Sequence, residues 1–396
     1  MKIEKNAWLL MFSDFIYSLT GIFVNTFLVA YLLKVTNENI TTIATYYITL
    51  YIIKTIGCFF VEKLIKKIPS KTKSIMALGI ILRALFILLI VILSNKIVNN
   101  YIWVAIMYSL SEVFYWCSHE LIYIDVTTNN NRKNYMTVKQ ILSQVINIIS
   151  PIILGASIEL YSFSKIAIYV FGLSVIQIFL ILFVKYNGNK QNNSIKYNYQ
   201  EFLKYIKKHN LTKIKNYDIS SIAYGIIESS ISTLIVIITI MTFKTSLKLG
   251  MLTTIFAFFS MLSLLIYNRV YNKKYSKPIL FIYSGIVIMG VFGLLINISK
   301  LSLIIYNFCY AITFCVFYVV YNTHKGDLVK ECKIEKYKEE YISHTTLSIG
   351  IGRIIGYLLM LLASFTKDIL YFKILLLIVT LFAPIYCYYM VKSINE

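Results

Sequence analysis

The sequence predicts an all-α integral membrane protein of twelve transmembrane helices, built as two pseudo-symmetric six-helix bundles. Composition is the first observation behind this: 58% of the 396 residues are hydrophobic, the mean hydropathy is +0.70, and there are only four prolines. A soluble domain with one apolar core does not have that composition. Apolar runs of about 20 residues, the length a helix needs to cross roughly 30 Å of hydrocarbon, recur along the chain. They are continuous runs and not the period-two segments of about ten residues that make an outer-membrane barrel. The second observation is a repeat. The basic stretch Val61 to Lys73, VEKLIKKIPSKTK, returns as Tyr267 to Pro278, YNRVYNKKYSKP. A shift of 206 (269 − 63) carries Lys63 onto Arg269, Lys67 onto Lys273, Ser70 onto Ser276, Lys71 onto Lys277 and Gly79 onto Gly285. Asp14 and Gly21 recur as Asp218 and Gly225 at an offset of 204, and Tyr135 recurs as Tyr341 at 206. Similar offsets in a common order mark an internal duplication. The third observation is charge: of 39 Lys and Arg, 28 fall on the side of the N-terminus, 8 on the opposite side and 3 within spans.

Taken in order, the expected spans are 7–33, 40–64, 73–94, 100–124, 138–160 and 165–185, then 217–243, 247–268, 278–298, 301–324, 342–364 and 369–392. This divides the chain into an N-terminal bundle (1–185), a linker (186–216) and a C-terminal bundle (217–396). The linker is rich in Asn, Lys and Tyr, and its EFLKYIKK segment has the pattern of a short amphipathic helix lying on the membrane surface. The positive-inside bias places both termini and the linker in the cytoplasm, with the protein in the cell membrane. MKIEKNAW runs straight into a full-length span with no small-residue cleavage site, so it reads as a retained first helix.

The net charge of +21 does not imply nucleic acid, because the basic residues lie in loops between spans and not on one soluble face. Cys58, Cys117, Cys309, Cys315, Cys332 and Cys387 lie mostly in apolar runs and form no close CxxC pair, so neither a disulfide framework nor a zinc site is expected. No metal or cofactor is expected. His119-Glu120 has no second His at zinc-helix spacing, and neither a Gly-x-Ser-x-Gly elbow nor a phosphate loop occurs, so the chain is not read as an enzyme.

An ionisable group at bilayer depth costs from about 2.5 kcal/mol upward, which makes each one a functional candidate with a partner to be found. Asp14, Glu112 and Glu228 are the acidic candidates, and Lys54, Arg83 and Arg353 the basic ones. Asp218, His119 and Glu120 fall near the ends of their spans, where water lowers the cost. Glu112 has Lys54 or Arg83 as a candidate permanent partner. Glu228 lies about 16 Å into its helix at 1.5 Å per residue. Its neighbours Ile226, Ile227, Ser229 and Ser230 bring no positive charge, and Arg353 is the one basic candidate in its half. It is therefore expected to be the principal proton-coupling carboxylate, followed by Glu112 and Asp14.

Twelve helices as six plus six, a basic central loop and a repeated basic turn after the second helix of each half resemble the major facilitator superfamily over essentially the whole chain. The family's loop signature, Gly-x-x-x-Asp-Arg-x-Gly-Arg-Arg, corresponds here to Cys58-Phe-Phe-Val-Glu62-Lys63-Leu-Ile65-Lys66-Lys67, with the charge pattern kept and both glycines replaced. The resemblance implies a cytoplasmic gate formed by Glu62, Lys63, Lys66, Lys67 and, in the second half, Arg269. Ser150-Pro151-Ile-Ile-Leu-Gly155 is similar to part of an antiporter signature, whereas the fourth-helix Arg of many drug exporters is missing. In that fold helices 1, 4, 7 and 10 line a central cavity, which implies that Asp14, Glu112 and Glu228 face it. Tyr17, Tyr115, Trp116, Tyr224, Tyr306 and Tyr310 are the implied substrate-cavity aromatics, able to stack on a planar or cationic compound.

The resulting expectation is a secondary transporter working by alternating access: a proton-coupled exporter of a small amphipathic or cationic compound, with the lipid bilayer as its other partner. Nutrient or sugar uptake is the alternative, kept open by Gln140 and Gln144, although Asn25, Gln177 and Asn307 are a sparse amide supply. A lipid scramblase, a sensor and a membrane enzyme are the readings from other classes.

Overall fold

The computed structural model describes residues 5–36, 39–93, 96–126, 132–186, 197–243, 245–270, 276–296, 299–365 and 369–395, and all the regular structure among them is helical. The first rod is α1 (Lys5–Ile22), a π-helical stretch (Phe23–Leu28) and α2 (Val29–Val35). It is followed by α3 (Ile40–Lys67), α4 (Thr72–Leu93), α5 (Ile97–Val126), α6 (Arg132–Tyr161) and α7 (Phe163–Phe183). The short α8 (Tyr199–Lys208) precedes α9 (Thr212–Phe243), α10 (Ser246–Val270), α11 (Ser276–Ile296), α12 (Lys300–Glu331), α13 (Lys338–Ser364), and α14 (Ile369–Thr380) with α15 (Phe382–Asn395). Apart from α8 these form twelve rods, one for each expected span. By length and composition nine of them can cross a membrane among the described residues. The other three, α3, α5 and α6, are 28, 30 and 30 residues long. Side-chain caps fix several starts: Asn39 accepts from Thr41 N at 3.0 Å, Asn198 accepts from Glu201 N at 3.1 Å, and Ser299 forms a capping box with Ser302.

The basic stretch that the sequence suggests is a loop is mostly helical. α3 runs on to Lys67, so Glu62, Lys63, Lys66 and Lys67 occupy its last turns, and only Ile68 and the 3₁₀ turn Pro69–Lys71 separate it from α4. In the second copy α10 carries Arg269 in its last turn, while residues 271–275, including Lys273, lie outside the described residues.

The chain forms two compact units. The first contains Met1–Tyr197 together with Phe243–Thr254; the second contains Asn198–Thr242 and Ile255–Glu396. In the first unit Leu10, Tyr17, Met76, Ile80, Tyr115, Ile122, Ile181 and Val184 make a buried cluster. Here α4 meets α5 at Gly79, where an added Cβ would fall 2.6 Å from Tyr115 N and 3.0 Å from Ser111 O. Small residues of this kind let two membrane helices approach backbone to backbone. Gly79→Val is expected to part these helices and cost about 1–3 kcal/mol. Thermal unfolding in detergent measures this, and an unchanged midpoint would refute it.

The second unit uses the same device. A Cβ at Gly352 of α13 would collide with the Ile222 backbone of α9, and one at Gly356 would lie 2.5 Å from Ser229 Oγ. This close crossing sets the height of Arg353 beside α9. Part of the expected linker also belongs to this unit. α8 buries Phe202 and Ile206, Phe202 packs on the rings of Tyr337, Tyr341 and His344, and Asn198 N donates to Glu340 at 2.9 Å.

Candidate functional site

In the first unit two carboxylates share one aromatic wall. Glu112 of α5 accepts from Arg83 Nη1 of α4 at 3.0 Å, Lys54 Nζ of α3 at 3.1 Å, Tyr17 OH of α1 at 2.6 Å and Trp116 Nε1 at 3.2 Å. Arg83 is fully buried, and its guanidinium lies 3.9 Å from the Tyr17 ring centroid. Such stacking suits a flat, weakly hydrated cation. Beside it, Asp14 of α1 accepts from Tyr115 OH at 2.6 Å and pairs with Lys139 Nζ of α6 at 2.7 Å and His119 Nε2 at 2.8 Å. Tyr17 and Tyr115 stack with centroids 3.5 Å apart and join the two networks. His119 Nδ1 is buried and lacks a hydrogen-bond partner among the described residues.

The second unit repeats the scheme with changes. Arg353 of α13 grips Glu228 of α9 through Nε at 2.5 Å and Nη2 at 2.8 Å, the bidentate fork that guanidinium and carboxylate favour. Asp218 of α9 accepts from Ser348 Oγ at 2.9 Å and meets His344 Nε2 at 2.8 Å. Tyr199 OH of α8 lies 2.8 Å from His344 Nδ1. Burial, and then the charge of Asp218, push the Tyr199 phenol up to about 12, so it stays protonated at physiological pH.

Arg353, the one basic candidate in the half of Glu228, is its partner, 125 residues away yet one helix contact across, and a static ion pair of this kind counts against free titration of Glu228. The six cavity aromatics are not equivalent. Tyr17, Tyr115, Tyr224 and Tyr306 are buried in helix packing, and only Trp116 and Tyr310 are partly exposed. Glu62 and Lys63 do not act as a facing pair, because adjacent helical residues diverge: Glu62 is fully buried whereas Lys63 is exposed. Lys66 is half-buried, and Lys67 and Arg269 are exposed. The amides Asn25, Gln177 and Asn307 bond to Tyr108, Ser13 and Thr239 respectively, and the side chains of Gln140 and Gln144 lie outside the described residues.

The sequence reading missed Lys139, His344, Ser348 and Tyr199. The repeat carries a signal for two of them: Lys139 and His344 are 205 apart (344 − 139), and each meets the Asp of its own half. His119 and His324 share that offset (324 − 119). The cysteine reading is also changed, since the fold brings Cys58 Sγ to 3.6 Å from Cys117 Sγ, with Glu62 beside them.

Long apolar helices joined by ion pairs define a polytopic membrane protein. Residues 6–327 match the Major Facilitator Superfamily, and the chain belongs to that family. It is 22% identical over 400 residues to the uncharacterized protein YqgE of Bacillus subtilis (strain 168), covering 99% of this chain and 90% of that one. The structure is similar to that of a bacterial homologue of the iron transporter ferroportin in an inward-facing state, with a TM-score of 0.72, 13% identity and full coverage of both chains. It is also similar to the nucleoside transporter NupG, with a TM-score of 0.73, 12% identity and coverage of 99% of this chain and 100% of that one. Identities this low establish the shared fold and not a shared substrate.

Proposed function

We propose that this protein is a proton-coupled secondary transporter that exports a small amphipathic or cationic compound by alternating access, from a cell membrane in which both termini face the cytoplasm. The observation behind this reading is the Glu228–Arg353 fork. Among the three acidic candidates Glu228 has the most accessible side chain, 26% exposed against 11% for Glu112 and 4% for Asp14. Among the described residues it is held by one cation, whereas Glu112 carries Arg83 and Lys54, and Asp14 carries Lys139 and a contact to the His119 ring. A proton and a cationic head group can then each displace Arg353 from the same carboxylate, and this competition is the physical basis of antiport. Opening the fork also loosens α13 from α9, a contact on which a rigid-body change can turn.

In this reading Lys63, Lys66 and Lys67 at the end of α3, and Arg269 at the end of α10, are the cytoplasmic gate residues, each within its own unit. Reconstitution into liposomes with an internal pH-sensitive dye is the test, with tetraphenylphosphonium and ethidium as probes. An imposed proton gradient is expected to drive probe movement with matching proton flux. Probe movement indifferent to the gradient would overturn the coupling, and none of either probe would overturn the substrate class.

A further inference from the structure

We propose that Cys58, Glu62 and Cys117 form a site for one divalent cation of the zinc class, clamping α3 to α5. Cys58 and Glu62 are four residues apart, which stacks them on one face of α3, and Cys117 projects from α5 against that face. Their ligand atoms all lie within 4.8 Å of one another, and among the described residues this is the one such group of three. The sulfurs are 3.6 Å apart. A tetrahedral zinc with bonds of about 2.3 Å to sulfur and 2.1 Å to oxygen sets two sulfurs about 3.8 Å apart and a sulfur and an oxygen about 3.6 Å apart. The sulfur edge is therefore already near its ligated length. A direct disulfide would instead need the sulfurs to close to about 2.05 Å.

The donor set is chemically selective. Two thiolates favour zinc or another soft cation over magnesium or calcium, which take all-oxygen shells. Binding requires both thiols to release their protons to solvent, after which two thiolates and one carboxylate face the doubly charged ion. The second Glu62 oxygen or a water fills the fourth position. All three side chains are at most 6% exposed, so the ion is a resident clamp and not transported cargo. The clamp lies immediately before the basic turns of α3, at the position where the family signature has its first glycine and its acid. Its effect is to fix the segment that carries Lys63, Lys66 and Lys67.

The test uses the tag-free full chain in detergent. Elemental analysis of protein purified without chelator is expected to give one zinc per chain. Cobalt loading is expected to give the intense visible bands of a tetrahedral thiolate site. Cys58→Ser/Cys117→Ser should lose both signals, while Cys309→Ser/Cys387→Ser keeps them. Glu62→Gln should keep the cobalt–thiolate band and weaken zinc binding at least about tenfold, and this result does not depend on the double variant folding. No metal in the wild type, a cobalt spectrum unchanged in Cys58→Ser/Cys117→Ser, or thiol counting that shows a disulfide between Cys58 and Cys117 would each overturn the site.

Discussion

Arg83→Leu is expected to yield little folded protein, and what is recovered should melt far below the wild type. Arg83 is fully buried, donates to Glu112 at 3.0 Å and lies over Tyr17 at 3.9 Å. Removing one partner of a buried ion pair leaves the other charge poorly compensated and costs about 3–5 kcal/mol. That is a large fraction of the roughly 5–15 kcal/mol that separates folded from unfolded states. Lys54 remains on Glu112, but it is partly exposed and supplies a point charge where Arg83 supplies a plane stacked on Tyr17. Arg83→Lys should therefore fall between the two. The double variant Arg83→Leu/Glu112→Leu should recover part of the loss, because the only charge then left without its partner is Lys54, which is partly exposed. Thermal unfolding followed by size-exclusion chromatography reads all three. A single variant as stable as the wild type would mean that water, and not Arg83, neutralises Glu112.

The parts of this molecule that were legible in the sequence are those governed by local rules. Twelve apolar runs, two basic turns and one offset near 205 are set by span length and loop charge, which act over a few residues at a time. The helical α8 was legible for the same reason, as EFLKYIKK alternates at helical spacing. The ion pairs depend on which helix faces which, and apolar composition leaves that open. Arg353 was the one basic candidate for Glu228 in its half, but only the close crossing at Gly352 and Gly356 places α13 on α9 and makes the pair. Lys139 fell just inside a predicted span and was counted with the loops, although the fold points it at Asp14. The tyrosines were misjudged for a related reason. Tyr17 and Tyr115 are interior, and their hydroxyls bond to Glu112 and Asp14, so they hold the charges in place. Cys58 and Cys117 are 59 residues apart, beyond any spacing rule for ligands, and only the α3–α5 contact brings them together.

Glu228→Gln is the substitution expected to change function most while leaving the fold in place. Gln keeps the shape and an acceptor for one Arg353 donor, but it cannot take up a proton, so a proton gradient no longer has a site on which to compete. Proton-driven movement of tetraphenylphosphonium or ethidium should fall to the level of protein-free liposomes, while exchange of probe down its own gradient persists. Glu228→Asp retains titration but sets the carboxylate about 1.5 Å back from the fork, and should keep coupling at a reduced rate. Arg353→Gln separates the two roles of the pair. It leaves the titratable carboxylate and removes its competitor, so coupled transport should survive with an altered pH dependence. If Arg353→Gln instead abolishes transport as fully as Glu228→Gln, the pair acts as a permanent brace between α9 and α13. Coupling would then have to be assigned to Asp14 with His119, or to Asp218 with His344, where in each pair a ring nitrogen lies 2.8 Å from a carboxylate.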